Sequence, residues 1–154
     1  MAGDSIPLTP PMPIRELNNI RPGDIDWSPD GRFIAVSRAR AEPESKQWRA
    51  VISLYSADGT GEAKFFETQP SWVDTSPSFS PDGKQLAFLS TRTSPSGGPY
   101  SLWVRDLTTG QPRQILLLPG LLPSDDFAPR WQGNERLLFK GTLQGKQGYF
   151  TVFL

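Results

Sequence analysis

The sequence predicts an all-β chain, and three observations lead to that fold class. Glycine and proline number 14 and 16 among 154 residues, a content that disfavours a helical bundle. Aromatic residues recur at Trp27, Phe79 and Trp131, each 52 residues after the one before. Segments such as AVISLYS and SLWVRD alternate apolar and polar residues as strands do, and none shows helical periodicity over ten residues.

A tight turn follows the aromatic residue in the first two copies of the repeat, which read WSPDGRFIAVS and FSPDGKQLAFLS. In Ser-Pro-Asp-Gly, proline fixes φ at the first central position of a turn and glycine accepts a positive φ at its exit. We therefore expect strands to reverse at Ser28 to Gly31 and at Ser80 to Gly83. Asp30 and Asp82 are assigned to these turns rather than to metal binding or acid catalysis.

Each copy continues with a polar loop, an alternating strand, a turn and a further strand, although the third copy, WQGNERLLFKG, lacks Ser-Pro-Asp-Gly. The unit is thus four antiparallel strands in about 52 residues. Tandem units of this kind are typical of β-propeller blades. Because a blade has two apolar faces, it needs a neighbour on each side.

The repeat frame predicts the domain organisation. Three blades cannot close a ring, whereas two chains related by a twofold axis supply six blades. We therefore expect a six-bladed propeller formed by a homodimer. The expected parts are a loose N-terminal arm at 1–12 and a half-propeller at 13–154, in which 13–19 is a strand completing the last blade, 20–69 is blade 1, 70–120 is blade 2, and 121–154 is blade 3 without its fourth strand.

The segments WSPDGRFIAVS and FSPDGKQLAFLSTRTSPSGGPYSLWVRDLTTG resemble the TolB-like propeller repeat. The same repeat occurs in the non-catalytic propellers of prolyl-oligopeptidase-type enzymes. The resemblance covers residues 20–154 in three copies. It implies a rigid propeller that serves as an interaction platform.

Composition and charge exclude several classes of function. Sixteen basic and sixteen acidic residues cancel, so no global field attracts nucleic acid or an anionic membrane. The chain has no cysteine and no histidine, hence no thiolate nucleophile, no cysteine-based zinc site and no histidine general base. It also has no Gly-x-Ser-x-Gly motif. We expect no cofactor and no bound transition metal.

The loops that emerge on one side of the blades are the predicted partner-binding face, because the loops of a repeat protein collect on one face. Tryptophan and arginine are common interface anchors. The alternative is that these loops are merely solvated and their indoles partly packed. The candidates for contact with a partner are Arg38, Arg40, Trp48, Trp72, Asp74, Arg92, Asp125 and Asp126.

Two further groups receive structural interpretations. Trp27, Phe79 and Trp131 occupy equivalent strand positions, so we expect them in the core. Four aspartates precede the first strands of their blades, where a carboxylate is expected to cap loop amides rather than face a ligand at the channel mouth: Asp24, Asp74, Asp125 and Asp126.

Three functions remain open. The preferred one is a non-enzymatic module that binds itself as a homodimer and another protein or peptide at the loop face. The alternatives are a propeller hydrolase or lyase with a carboxylate site at the channel mouth, and a structural subunit of a larger assembly. No apolar run follows a basic start, so we expect a cytoplasmic protein, or a periplasmic one if a leader was removed, without membrane insertion.

Overall fold

The computed structural model describes residues 24–41, 48–58, 64–65, 72–94 and 98–154, without the side chains of residues 39–41, 48 and 64–65. Within these ranges the chain forms strands and turns and no helix, which confirms the predicted all-β class. The described residues therefore include no helix that could span a lipid bilayer. The predicted arm and the strand at 13–19 lie outside them.

Blades 1 and 2 are four-stranded antiparallel sheets whose strands follow chain order from one edge to the other. In blade 1 the strands are β1 (Ile25–Trp27), β2 (Phe33–Ala41), β3 (Trp48–Ser56) and β4 (Lys64–Phe65). In blade 2 they are β5 (Asp74–Phe79), β6 (Gln85–Ser90), β7 (Ser101–Asp106) and β8 (Pro112–Gln114).

Blade 3 is built differently, with β10, β11 and β12 in order and β9 paired to the end of β11. Its strands are β9 (Leu122–Pro123), β10 (Arg130–Gln132), β11 (Arg136–Leu143) and β12 (Lys146–Phe153). Gly141 allows β9 to approach, because a Cβ at this position would lie 2.9 Å from the carbonyl oxygen of Leu122. A larger residue there would push β9 away from the sheet.

The two Ser-Pro-Asp-Gly turns form as predicted. The amide of Gly31 donates to the carbonyl of Ser28 at 2.9 Å, and the same bond closes the second turn at 2.8 Å. Both turn glycines have φ of 70°, a left-handed value that favours glycine. The hydroxyl of Ser28 donates to Asp30 Oδ1 at 2.6 Å, so this aspartate belongs to the turn.

Apolar side chains between successive blades form the core. Between blades 1 and 2, Ala35 and Ile52 pack against Phe79, Leu86 and Phe88. Between blades 2 and 3 a second cluster joins both sheets; its buried members are Ala87, Leu89, Leu102, Val104, Ile115, Leu121, Leu137 and Phe139. The three blades therefore stack face to face in chain order, as in a propeller.

The expectation that all three repeated aromatic residues are buried is wrong for one of them. Phe79 is 7% exposed and Trp131 packs against the second cluster, but Trp27 is 49% exposed. The reason is its place in the series, because the described residues contain no blade in front of blade 1. An aromatic residue at this repeat position is buried by the preceding blade.

Candidate functional site

Three of the predicted partner-binding residues meet at one end of blade 2. Asp74 begins β5, and Arg92 follows the end of β6. The Nη2 of Arg92 donates to Asp74 Oδ2 at 2.8 Å and its Nε donates to Oδ1 at 3.3 Å, so the pair is bidentate. The exposed fractions of the two side chains are 6% for Arg92 and 1% for Asp74. This is a buried ion pair.

Aromatic rings enclose the guanidinium of Arg92. Its central carbon lies 4.7 Å from the ring centroid of Trp72, 5.2 Å from that of Phe88 and 5.4 Å from that of Trp103. Arginine stacks well on aromatic faces because its charge is delocalised and weakly hydrated. The rings therefore stabilise the cation while excluding water from the ion pair.

The Asp74 carboxylate accepts hydrogen bonds from side chains of the protein. Besides Arg92, the hydroxyl of Ser90 donates to Oδ1 at 2.6 Å. The Asp74 carbonyl accepts a bond from the Ser37 hydroxyl of blade 1 at 3.2 Å. We expected this carboxylate to cap loop amides, but its hydrogen bonds come from the side chains of Ser90 and Arg92 instead. The cluster therefore links strands within blade 2 and also bonds blade 2 to blade 1.

The remaining predicted residues lie in other blades. In blade 3, Asp126 forms an exposed ion pair with Lys140 and also accepts the hydroxyl of Ser124. These contacts lower the pKa of Asp126, the lysine bond being the larger cause, and the same bond raises the pKa of Lys140. Asp125 is adjacent and half-buried.

Blade 1 carries the last three predicted residues. The guanidinium carbon of Arg38 lies 5.8 Å from the ring centroid of Tyr55. Arg40 pairs with Arg49 in the ladder of β2 and β3, and Trp48 pairs with Ala41. The side chains of Arg40 and Trp48 lie outside the described part. The partner-binding role of all eight residues stays a prediction.

Sequence reasoning missed Asp26, which joins blade 1 to blade 2. Its Oδ2 accepts the amide of Phe79 at 2.6 Å. Burial is the largest influence and raises the pKa of the Asp26 carboxyl, while the amides of Phe79 and Trp27 and the charge of Arg130 oppose it. Its position directly before a repeated aromatic residue was the available signal.

Replacing Asp26 with asparagine should change how stability depends on pH. Because the folded-state pKa is raised, the native protein loses stability as pH rises from below the ordinary value of 3.8 through the raised pKa. Asparagine keeps an oxygen for the Phe79 amide and removes this loss. Urea unfolding across the acid range should therefore show that the stability of the variant, relative to that of the native protein, increases as pH rises.

Asp30→Asn is the matched control for that experiment. The Ser28 hydroxyl and the Arg32 amide lower the pKa of Asp30, so its stabilising effect is present above the ordinary pKa and is lost in acid. The stability of Asp30→Asn, relative to that of the native protein, should thus decrease as pH rises. If the stability of both variants changed with pH in the same direction, the opposite pKa shifts assigned to Asp26 and Asp30 would be wrong.

A second feature missed by sequence reasoning is strain in β5. Ser76 is buried and has φ of 57°, although it is not glycine and precedes Pro77. The pairing of β5 with β6 shifts register between Thr75 and Ser78, which marks a bulge. Thr75 also donates its hydroxyl to Asp24 Oδ1 at 3.0 Å, a further bond between blades 1 and 2.

The charged groups of this region have structural partners, and the hydroxyls of Ser90 and Thr75 donate to the carboxylates of Asp74 and Asp24. Among the described residues there is no group of three or more histidine, cysteine, aspartate or glutamate side chains that could hold a metal ion. A serine nucleophile needs an adjacent base, and the whole sequence lacks histidine. The arrangement can stabilise blade packing.

Comparisons with known proteins place this fold beside peptidases and TolB. No protein-family model and no curated protein sequence matches the chain. The solved Pyrococcus horikoshii acylaminoacyl peptidase is similar at 27% identity with a TM-score of 0.50, over 71% of this chain and 15% of that one.

Two other solved structures agree on the fold. The β-propeller domain of the Trilobed protease from Pyrococcus furiosus is 22% identical with a TM-score of 0.57, over 80% of this chain and 36% of that one. TolB from Acinetobacter baumannii is 18% identical with a TM-score of 0.56, over 85% of this chain and 40% of that one. The chain thus spans less than half the length of each of these proteins.

The comparisons correct the function preferred from the sequence. The sequence predicts a non-enzymatic protein or peptide interaction module, because the TolB-like repeat implies an interaction platform and the chain lacks histidine and a Gly-x-Ser-x-Gly motif. That function is wrong, since the similar structures include acylaminoacyl peptidase and an isopeptidase, in which the propeller accompanies a hydrolase. Both peptidases and TolB share this architecture.

The structural likeness confirms the resemblance read from Ser-Pro-Asp-Gly and its 52-residue period. The three structures named above give TM-scores of 0.50 to 0.57 with this chain, and one of them is a β-propeller domain. The chain has the fold of the TolB-like β-propeller repeat, in three blades.

Proposed function

We propose that the chain forms part of the propeller of a peptidase similar to acylaminoacyl peptidase. The observation that carries the proposal is the 27% identity to that enzyme over 71% of this chain. A second crystal structure of an acylaminoacyl peptidase, bound to Z-Gly-Gly-Phe-chloromethyl ketone, gives 26% identity and a TM-score of 0.51. The likeness is thus found in more than one structure of that enzyme.

In this proposal the chain itself is not catalytic. It matches only 15% of the length of the peptidase, which leaves most of such an enzyme to supply the active site. Its own sequence offers no histidine or cysteine. Peptide hydrolysis would then be carried out by residues outside these three blades, either in the same polypeptide or in a bound subunit.

The described contacts support an architectural role. Asp74 and Arg92 form a buried, ring-enclosed pair, and Asp26 bonds across to Phe79 of the next blade. Such satisfied polar contacts fix the geometry of neighbouring elements. A catalytic domain that rests on a propeller needs that rigidity, because its groups must stay within fractions of an ångström of their productive positions.

The test uses an antibody raised against the 154-residue chain and applied to extracts of the source cells. The immunoprecipitate should cleave an N-acylated aminoacyl p-nitroanilide and should contain a protein that reacts with a fluorophosphonate probe. The purified chain alone should do neither. An inactive, unlabelled precipitate would overturn the assignment to a peptidase, and cleavage by the purified chain would overturn its non-catalytic role.

A further inference from the structure

We propose that the face of blade 1 directed away from blade 2 binds an oxyanion, the phosphate or carboxylate group of a ligand. Its binding groups are the hydroxyls of Ser53 and Tyr55 and the guanidinium groups of Arg38 and Arg49, which lie on β2 and β3. The proposal rests on the described residues of blade 1 and does not depend on the proposed peptidase function.

The two faces of blade 1 have different neighbours, because side chains alternate between the faces along a strand. Ala35 and Ile52 belong to the core cluster shared with blade 2. Ile34, Val36 and Tyr55 form a separate cluster, in which no described residue of blade 2 takes part. Tyr55 therefore lies on the face of blade 1 that is directed away from blade 2.

Two buried hydroxyls on this face make no hydrogen bond. Ser53 is two residues before Tyr55 on β3, so both side chains lie on the same face. Their exposed fractions are 0% and 7%, and neither Ser53 Oγ nor Tyr55 Oη has a hydrogen-bond partner within the chain. Buried polar groups of native proteins are nearly always hydrogen-bonded, since an unpaired donor is costly. The two hydroxyls thus indicate an acceptor that comes from outside the chain.

Two arginines bring positive charge to the same face. Arg38 is opposite Val51 in the ladder of β2 and β3, and Val51 is two residues before Ser53. The guanidinium carbon of Arg38 lies 5.8 Å from the ring centroid of Tyr55, which agrees with this placement. Arg49, two residues before Val51, is on the same face. The face therefore combines two cations with two hydroxyls.

The charge of this face is not balanced by carboxylates of the same strands. Neither β2 nor β3 contains an aspartate or a glutamate. Asp26, the acidic residue of β1, is directed towards blade 2, where it accepts the amide of Phe79. Hydroxyls can donate, guanidinium groups only donate, and arginine recognises carboxylate and phosphate groups through paired hydrogen bonds. The ligand group that fits this face is therefore an oxyanion.

Urea unfolding of the 154-residue chain in sodium phosphate, sodium acetate and sodium chloride of equal ionic strength tests the proposal. An anion that binds only the folded chain lowers the unfolding equilibrium constant about tenfold at about ten times its dissociation constant. We expect phosphate or acetate to lower this constant below its value in chloride. A response to phosphate alone identifies a phosphate group as the ligand, and a response to acetate shows that a carboxylate is sufficient.

Ser53→Ala and Tyr55→Phe each remove one hydroxyl and little else. In chloride neither variant should be much less stable than the native chain, because no hydrogen bond within the chain is lost. Each should weaken binding of the anion by about tenfold or more, as the loss of a hydrogen bond to a charged group does. Arg38→Gln removes a positive charge and should weaken binding as well.

Tyr149→Phe is the matched control, since it removes the hydroxyl of a tyrosine that is 63% exposed in blade 3. It should respond to the anions as the native chain does, including the general stabilisation by phosphate that all variants share. Circular dichroism shows whether each variant is folded. Equal anion effects in the native chain, Ser53→Ala and Tyr55→Phe would overturn the proposal, as would a native chain that responds to neither anion. A large loss of stability for Tyr55→Phe in chloride would also overturn it, because the hydroxyl would then have an acceptor within the chain.

Discussion

Replacing Asp74 with alanine should lower the free energy of unfolding by about 3–5 kcal/mol, the usual cost of breaking a buried ion pair. The Arg92 guanidinium would remain buried, 6% exposed, without its counter-charge. The substitution also removes the acceptor of the Ser90 hydroxyl. Urea unfolding followed by tryptophan fluorescence measures the loss, and Trp72 and Trp103 lie beside the site to report it.

Asp126→Ala is the control for that experiment, since it breaks an exposed aspartate–lysine ion pair on the surface of blade 3. Its effect should be much smaller, because solvent and salt screen exposed pairs. The double variant Asp74→Leu with Arg92→Leu should recover much of the loss, as apolar replacement of a buried pair often does. Equal losses for Asp74→Ala and Asp126→Ala would contradict the burial of the Arg92 pair.

Replacing Phe139 with alanine should cost about 3–5 kcal/mol, the range for truncating a buried phenylalanine. Phe139 is 1% exposed and belongs to the cluster that joins blade 2 to blade 3. Its ring centroid lies 6.0 Å from that of Phe150 on β12. The cavity would therefore open at the interface between blades, and urea unfolding measures the loss.

Phe153→Ala is the matched control on the same hairpin. Phe153 is 68% exposed, and its ring stacks under the Arg136 guanidinium at 4.3 Å. An exposed contact of this kind contributes about 0.5–1 kcal/mol. If Phe153→Ala cost as much as Phe139→Ala, the assignment of faces in blade 3 would be wrong.

The turns and the strand order could be predicted because their causes are local. Ser28 to Gly31 and Ser80 to Gly83 carry their conformation in four residues, and the structure shows the expected bonds and positive φ. Strand alternation is likewise readable over six or seven residues. The period of 52 residues then extended these local features to a whole architecture.

The polar contacts between distant residues could not be predicted in the same way. Asp74 and Arg92 are 18 residues apart, and Arg92 was assigned to an exposed loop. Its burial depends on rings contributed from three places, Trp72, Phe88 and Trp103, whose convergence exists only in the folded blade. The exposure of Trp27 also depends on its blade's place in the series, which a repeat motif alone does not encode.

Function was harder to predict from the sequence than the fold, for a physical reason. The period specifies strands and faces, but propellers with the same repeat support unrelated activities. The absence of histidine excludes a histidine general base within this chain, but it gives no information about the protein to which the blades belong. The proposed peptidase function rests instead on the likeness to acylaminoacyl peptidase.

The proposed architectural role depends on three blades stacked in chain order, and hydrogen exchange tests that arrangement most directly. The Phe79 amide and the Trp131 indole N–H each donate across a blade interface. In NMR spectra of the native chain both protons should exchange far more slowly than the amides of Gln144 and Gly145, which lie in an exposed hairpin turn. Exchange of Phe79 and Trp131 as fast as that turn would contradict the stacked blades.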